Sequence, residues 1–308
     1  MNVINSKNAG ALALKNALQY MRDVPQSILE QLASPKTLPW YGFVDVDISG
    51  VPTFTMFSNN DDFVAQAYFW KGADAYEGTS LKLWTTLAKR SVSIIDIGAY
   101  SGVYSLAASK ASPKSKIYSI EALDRVYSRL LINKAANSAA NINCFNFAVS
   151  DCDSEINLLV YSGQDILVSG SSTVPDACDR IPCESKEVKS FTLDSFVESN
   201  AIPSVGLMKI DAEGAEHLIL KGAQKVISSY LPDIICEILP VAKTNDIFSF
   251  FSSLGYKYYK ISESSMRLVQ HIAPPNSLES VDYNTFISTK NSAELINLLP
   301  GFEVVAVD

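Results

Sequence analysis

The sequence predicts an α/β fold, a mostly parallel sheet with helices on both faces. Two observations carry that expectation. From residue 92 onward, short apolar runs alternate with longer stretches of helical periodicity, the pattern of repeated strand–helix–strand units. The first of these runs, Val92 to Ile97, then enters a turn bearing Gly98 and Gly102 and continues as a helical pattern. In an open parallel sheet, such a turn lies at the carboxyl edge of the strands, where ligands bind.

Taken in order, residues 8 to 34 read as helical, with Ala and Leu at helical spacing and Pro25 as an interruption. Residues 42 to 47 and 52 to 57 alternate with period two around Ser49-Gly50, which predicts a β-hairpin. Asn59 to Asp62 reads as a loop and Thr79 to Leu87 as a helix. Strands follow at 92 to 97, 116 to 120, 142 to 149, 205 to 210 and 233 to 238. Helices fill the gaps through Lys110 and at 124 to 136, 214 to 228 and 246 to 254. Two further strands are expected at 255 to 261 and 284 to 288. Residues 151 to 195 break the alternation, with strands at 156 to 161 and 187 to 191 around a Ser/Gly cluster at 169 to 173. A loop of that length inside a domain is usually functional. The expected division is a helical and hairpin extension over 1 to 70 and the main domain over 71 to 308.

The composition narrows the function. The 308 residues are 47% hydrophobic, enough for a sizeable core. The net charge is -8 and no Lys/Arg-rich run occurs, which argues against a nucleic-acid partner. No apolar run reaches the roughly 18 residues of a membrane span. Residues 1 to 14 do not read as a signal peptide, so a cytoplasmic location is expected. The five cysteines (Cys144, Cys152, Cys178, Cys183 and Cys236) lack zinc-ligand spacing and read as reduced thiols; Cys178 and Cys183 could pair under oxidation. A homodimer remains open.

The turn itself, Asp96-Ile97-Gly98-Ala99-Tyr100-Ser101-Gly102, lacks the three-glycine spacing of dinucleotide-binding folds. Asp96 at its start would repel a pyrophosphate. A carboxylate there suits a cationic, phosphate-free ligand, which favours S-adenosyl-L-methionine over NAD. Gly98, Ala99, Tyr100, Ser101 and Gly102 become candidate cofactor contacts. The second strand ends in Glu121-Ala122, and an acid at that position commonly holds ribose hydroxyls. The third ends near Ala148, which would flank the adenine.

A second acidic cluster follows the fourth strand, in Lys209-Ile210-Asp211-Ala212-Glu213-Gly214-Ala215-Glu216-His217. Asp211 should face the pocket, as a contact to the methyl donor and a candidate catalytic group. Glu213 is a second candidate base, although it and Glu216 could simply cap a helix. Glu237 interrupts an apolar run, and a buried carboxylate needs a partner or a task. Asp211 and Glu237 could orient or deprotonate a hydroxyl. They could also hold a hard cation, but without a third convincing ligand no metal site is expected. His217 is a further candidate base.

At this point the sequence resembles the FkbM-type methyltransferases. The matching residues are Asp96-Ile97-Gly98-Ala99 with Gly102, the acid Glu121, and Thr192-Leu193-Asp194-Ser195-Phe196. The most specific block is Lys209-Ile210-Asp211-Ala212-Glu213-Gly214-Ala215-Glu216, followed by Leu220-Lys221-Gly222-Ala223 and Pro232 to Glu237. Tyr76-Glu77 also looks like a family feature, in a segment that caps the cofactor in related folds; Glu77 is therefore a candidate cofactor contact. The family commonly has Asn where this chain has Tyr100. The resemblance covers roughly residues 70 to 260. It implies a class I methyltransferase Rossmann-like fold with a seven-stranded sheet, and O-methylation of a hydroxyl on a sugar, glycolipid or natural product. Tyr76, Glu77, Ser171 and Ser172 would shape the acceptor pocket. Two rival readings are a nucleotide-dependent oxidoreductase and a catalytically silent Rossmann-like module that binds the cofactor or a partner.

Overall fold

The computed structural model describes residues 2–20, 25, 27–28, 38–161, 167, 171–173, 182–239, 242–271 and 282–306. Its centre is a sheet that begins with β3 (Ser93–Ile97), β4 (Lys116–Ile120) and β5 (Ile142–Phe145) on one side. On the other side come β9 (Leu207–Ile210), β10 (Asp233–Glu237), β13 (Asn284–Ser288) and β11 (Lys257–Ser262). The spatial order is β5-β4-β3-β9-β10-β13-β11. Neighbours are parallel from β5 to β10, and β13 runs antiparallel to both β10 and β11. This is the seven-stranded arrangement of the class I methyltransferase fold. Two strands absent from the sequence reading, β12 (Arg267–His271) and β14 (Glu303–Val305), extend the β11 edge to nine strands.

The central strands are covered on both faces, so they read as continuous apolar runs rather than alternating ones. Ile94 and Ile235 point into one core with the N-terminal elements, while Ile95, Ile234 and Cys236 point into the other. The first core includes Val44 and Met56 of the hairpin β1 (Tyr41–Val46) and β2 (Phe54–Asn59). It also includes α2 (Phe63–Lys71), α3 (Gly78–Ala88) and α4 (Val103–Ala111). The second is filled from α6 (Leu193–Ser199), α7 (Glu216–Lys221), α8 (Gln224–Tyr230) and α9 (Thr244–Ser253).

Several boundaries differ from the sequence reading for physical reasons. The run expected as one strand over 142 to 149 divides after Phe145. Ala148–Val149, here β6, joins a separate sheet of order β6-β8-β7 with β7 (Ser154–Tyr161) and β8 (Pro182–Phe191). The helix expected over 214 to 228 breaks at Gly222. A Cβ there would lie 2.1 Å from the Ser150 carbonyl oxygen, so the chain can pass only as glycine. The first helix, α1 (Asn2–Tyr20), starts earlier than expected, and most of 21 to 37 lies outside the described residues. Asp62 ends the expected loop at 59 to 62 by accepting from the Val64 and Ala65 amides, and so starts the unanticipated α2. The Cys178–Cys183 pairing also falls outside the described residues, whereas Cys144, Cys152 and Cys236 are free. Among the described residues, no helix is long and apolar enough to cross a membrane.

The hairpin is fastened to α5 (Asp124–Ala136) by a buried ion pair. The Arg129 guanidinium donates to both carboxylate oxygens of Asp61 at 2.8 and 2.9 Å, with 8% and 4% of the two side chains exposed. Removing one partner strands the other charge in the interior. Asp61→Ala is expected to cost about 3–5 kcal/mol in a urea titration. A cost under about 1 kcal/mol, the value of an exposed pair, would be inconsistent with this burial.

Candidate active site

The turn after β3 is shaped by a close approach to the end of β9. Gly98 has φ +74°, and a Cβ on it would lie 1.8 Å from the carbonyl oxygen of Asp211. The amides of Gly98 and Ala99 both donate to the Ile120 carbonyl at 3.0 Å, fixing the turn to β4. Tyr100 has φ +49°, a left-handed conformation in which Asn is enriched and a large side chain is strained. That accounts for Asn as the common family residue there. In this chain the Tyr100 ring lies 5.5 Å from that of Phe63, and its hydroxyl donates to the Leu167 carbonyl at 3.4 Å.

Beyond the carboxyl ends of the strands is a cavity of about 240 Å³. Its acids follow the strand order: Glu237 closes β10, Asp211 follows β9, Asp96 lies in β3 and Glu121 follows β4. At about 4.8 Å per strand, three spacings separate β10 from β4, so the groove spans roughly 14 Å. Burial pushes Glu121 up to about 7, opposed by hydrogen bonds from the Leu123 and Tyr100 amides at 2.8 and 3.0 Å. Burial pushes Asp96 up to about 6, opposed by the Ser105 hydroxyl, which donates to it at 2.6 Å. Near Glu121 the wall turns apolar, with Ala122, Phe147, Ala148, Val149 and Leu158.

At the other end, Asp211, Glu213 and Glu237 each offer a carboxylate oxygen, all within 4.8 Å of one another. This supplies the third oxygen ligand that the sequence did not reveal, so the trio could hold a hard cation. Lys209, 1% exposed, donates from Nζ to Asp211 at 2.8 Å and to Asn284 Oδ1 at 3.1 Å, and lies 5.1 Å from the centre of the Tyr104 ring. Burial alone would lower its pKa. The charges of Asp211, Glu77 and Glu237 outweigh burial and raise it, so Lys209 stays a cation. Glu237 moves the other way: burial, and then the Asp211 charge, raise its pKa well above the carboxylate range, and it shares a hydrogen bond with Asp211.

Of the sequence candidates, Asp96, Gly98, Ala99, Tyr100, Glu121, Ala122, Ala148, Asp211, Glu213 and Glu237 all line this cavity. Glu77, Ser101, Gly102 and His217 are not among its lining residues. Glu77 precedes α3 at φ +42° and accepts from the Tyr104 hydroxyl, so it holds the wall from behind. Ser101 is fully buried and Gly102 starts α4. His217 is buried on α7 among residues of the second face, and burial lowers its pKa. Glu216, the first residue of α7, accepts from the Ala212 and Gly214 amides of the preceding loop, so it ties that loop to the helix start and makes no side-chain cap. Ser171 and Thr173 line the cavity, whereas Ser172 pairs its backbone with Leu159; much of their loop lies outside the described residues. Lys209, Tyr104 and Phe63 also line the cavity and had been given no role from the sequence. Lys209 had a signal of its own, a lone cation inside an apolar strand.

Among the described residues, five that line the cavity are acids and one, Lys209, is basic and ion-paired to Asp211. With Gly98 opening the turn, the groove suits an elongated, cationic, phosphate-free ligand and opposes a pyrophosphate. No curated protein matches the sequence. Among solved structures, methyltransferase FkbM from Methylobacillus flagellatus is 16% identical, covering 66% of this chain and 47% of that one, with TM-score 0.41. This chain thus spans under half the length of the Methylobacillus protein. An O-methyltransferase from Bacillus cereus in complex with SAH is 12% identical, covering 92% and 98%, with TM-score 0.39. Aeropyrum pernix fibrillarin with bound S-adenosyl-L-methionine is 12% identical, covering 68% and 73%, with TM-score 0.35. These three likenesses are loose; the assignment rests on sequence. Residues 96–258, more than half of the chain, match the methyltransferase FkbM domain. The chain belongs to the FkbM family of S-adenosyl-L-methionine-dependent methyltransferases.

Proposed function

We propose that this protein is an O-methyltransferase that acts on a hydroxyl of a sugar, glycolipid or natural-product acceptor. The observation that carries this reading is the convergence of Asp211, Glu213 and Glu237 at one end of the groove, with a ribose-type acid, Glu121, at the other. When bound, the cofactor supplies an electrophilic methyl group on its sulfonium. Glu121 accepts the ribose hydroxyls, and the apolar wall around Ala148 flanks the adenine. The turn Gly98–Tyr100 receives the middle of the ligand, and Asp96 braces it from below. Asp211, ion-paired with Lys209, accepts the acceptor's hydroxyl proton, while Glu237 in its protonated form donates a hydrogen bond. Tyr76, between Phe63 and the acids, shapes the acceptor's entry. Holding both reactants in line would supply most of the rate enhancement.

The test is transfer of a labelled methyl group from the cofactor to a panel of mono- and oligosaccharides and polyketide alcohols. Labelled ether products support the proposal. Cofactor binding without turnover on any hydroxyl would favour the silent module. The acidic trio also permits a second reading, a divalent cation that binds the hydroxyl. Loss of turnover in EDTA, restored by magnesium or manganese, would distinguish it.

The Glu121 assignment predicts a pH dependence. Burial pushes Glu121 up to about 7, and the ribose contact needs it as a carboxylate. Affinity for S-adenosylhomocysteine should therefore be full at pH 8 and fall on acidification below 7, by up to about tenfold per unit. Calorimetry of Glu121→Gln should give a weaker and flatter profile. A wild-type profile with no slope between pH 8 and 6 would remove Glu121 from the ribose site.

A further inference from the structure

Strand β2 has a free edge, and α5 covers it with side chains in place of a third strand. Arg129, Asn133 and Asn137 stand at successive i, i+4 positions on one face of α5 and its C-terminal cap. Arg129 donates to the Phe57 carbonyl at 3.0 Å. Asn133 Oδ1 accepts from the Phe57 amide at 2.7 Å. Asn137 accepts from the Thr55 amide at 2.9 Å and donates to the Thr55 carbonyl at 2.6 Å. Arg129, Asn133 and Asn137 together satisfy the edge of β2.

Asn133 does something more. It is fully buried, and its Nδ2 donates to the carbonyl of Ser101, inside the glycine turn, at 2.8 Å. One residue earlier, the Tyr100 amide donates to Glu121. A continuous path therefore runs from the hairpin through Asn133 and the turn to the proposed ribose acid. The hairpin precedes residues 96–258, the span of the FkbM match.

We propose that Asn133 is a positioning residue for the cofactor: its amide clamps the glycine turn to the N-terminal hairpin and so sets Tyr100 and Glu121. The proposal rests on reading the groove as the cofactor site. It makes the hairpin part of the cofactor-binding unit, and it gives Ser101, which does not line the cavity, a part in binding through its backbone carbonyl.

Asn137 provides the internal control, because it fastens the same strand without touching the turn. Calorimetric titration of the full chain with S-adenosylhomocysteine should show Asn133→Ala weakened about tenfold or more, since a buried carbonyl of the turn loses its donor. Asn137→Ala should lower the melting temperature yet leave the dissociation constant unchanged. Asn133→Asp keeps the acceptor for Phe57 but loses the donor to Ser101. It should retain the hairpin, as judged by near-UV circular dichroism, and still bind weakly; it serves as the decisive variant if Asn133→Ala fails to fold. With turnover in hand, Asn133→Ala should raise the KM for the cofactor and leave kcat and the acceptor KM in place. Equal dissociation constants for the wild type, Asn133→Ala and Asn133→Asp would overturn the proposal, as would equal weakening by Asn137→Ala. A wild-type chain that does not bind would instead overturn the groove assignment.

Discussion

Asp211→Asn is expected to lower kcat by about 10²- to 10⁴-fold, the range for loss of a positioned proton acceptor. The substitution preserves shape and removes charge. Asp211 lies where the groove leaves the glycine turn and meets Glu213 and Glu237, and its partner Lys209 is buried. An asparagine there accepts no proton and leaves the lysine facing a neutral group. Glu237, released from the Asp211 charge that helps keep it protonated, would titrate lower and take over part of the role. The residual rate of Asp211→Asn should therefore exceed that of the double variant with Glu237→Gln. Initial rates at saturating cofactor, with any acceptor that turns over, measure both. A kcat within threefold of the wild type would exclude Asp211 as the base.

Gly98→Ala should be the most damaging small substitution in the turn. Two costs combine: a positive φ, and a methyl group 1.8 Å from the Asp211 carbonyl oxygen. The strands β3 and β9 would have to part where the acids converge. A loss of about 3 kcal/mol or more is expected in denaturant titration, together with loss of cofactor binding. Gly50→Ala separates the two costs, because Gly50 has φ +83° and a Cβ added to it would meet nothing within 4 Å. It should cost only about 1–2 kcal/mol, for the left-handed backbone. Equal costs at the two positions would mean that the turn yields at Gly98.

Four of the parallel strands, β3, β4, β9 and β10, were legible because each is a largely apolar, buried run that meets a glycine or an acid at its end, whereas β5 leads into Asn146 and was read too long. Lys116–Ile120 falls where the sequence placed it, and so does the antiparallel Asn284–Ser288. The acids of the groove were legible for the same reason, since a carboxylate ending an apolar run is conspicuous. What stayed hidden depends on contacts between distant segments. Nothing local to Gly222 indicates that the Ser150 carbonyl will press against it and break the helix. His217 lies just past the loop acids, and only the turn of α7 decides that it leaves the cavity. The i, i+4 series Arg129, Asn133, Asn137 was given no role from the sequence, because its meaning depends on the free edge of β2. Lys209 looked like one residue of a family block until Asp211, Asn284 and Tyr104 were seen to surround it.

The most direct measurement is calorimetric titration of the intact, folded chain with S-adenosylhomocysteine, and with NAD for comparison. The expected result is one site per chain for S-adenosylhomocysteine, abolished by Gly98→Ala and weakened by Glu121→Gln, with no heat from NAD. A folded chain that takes up NAD, or that gives no heat with S-adenosylhomocysteine, would contradict an acid-lined groove built for a phosphate-free methyl donor.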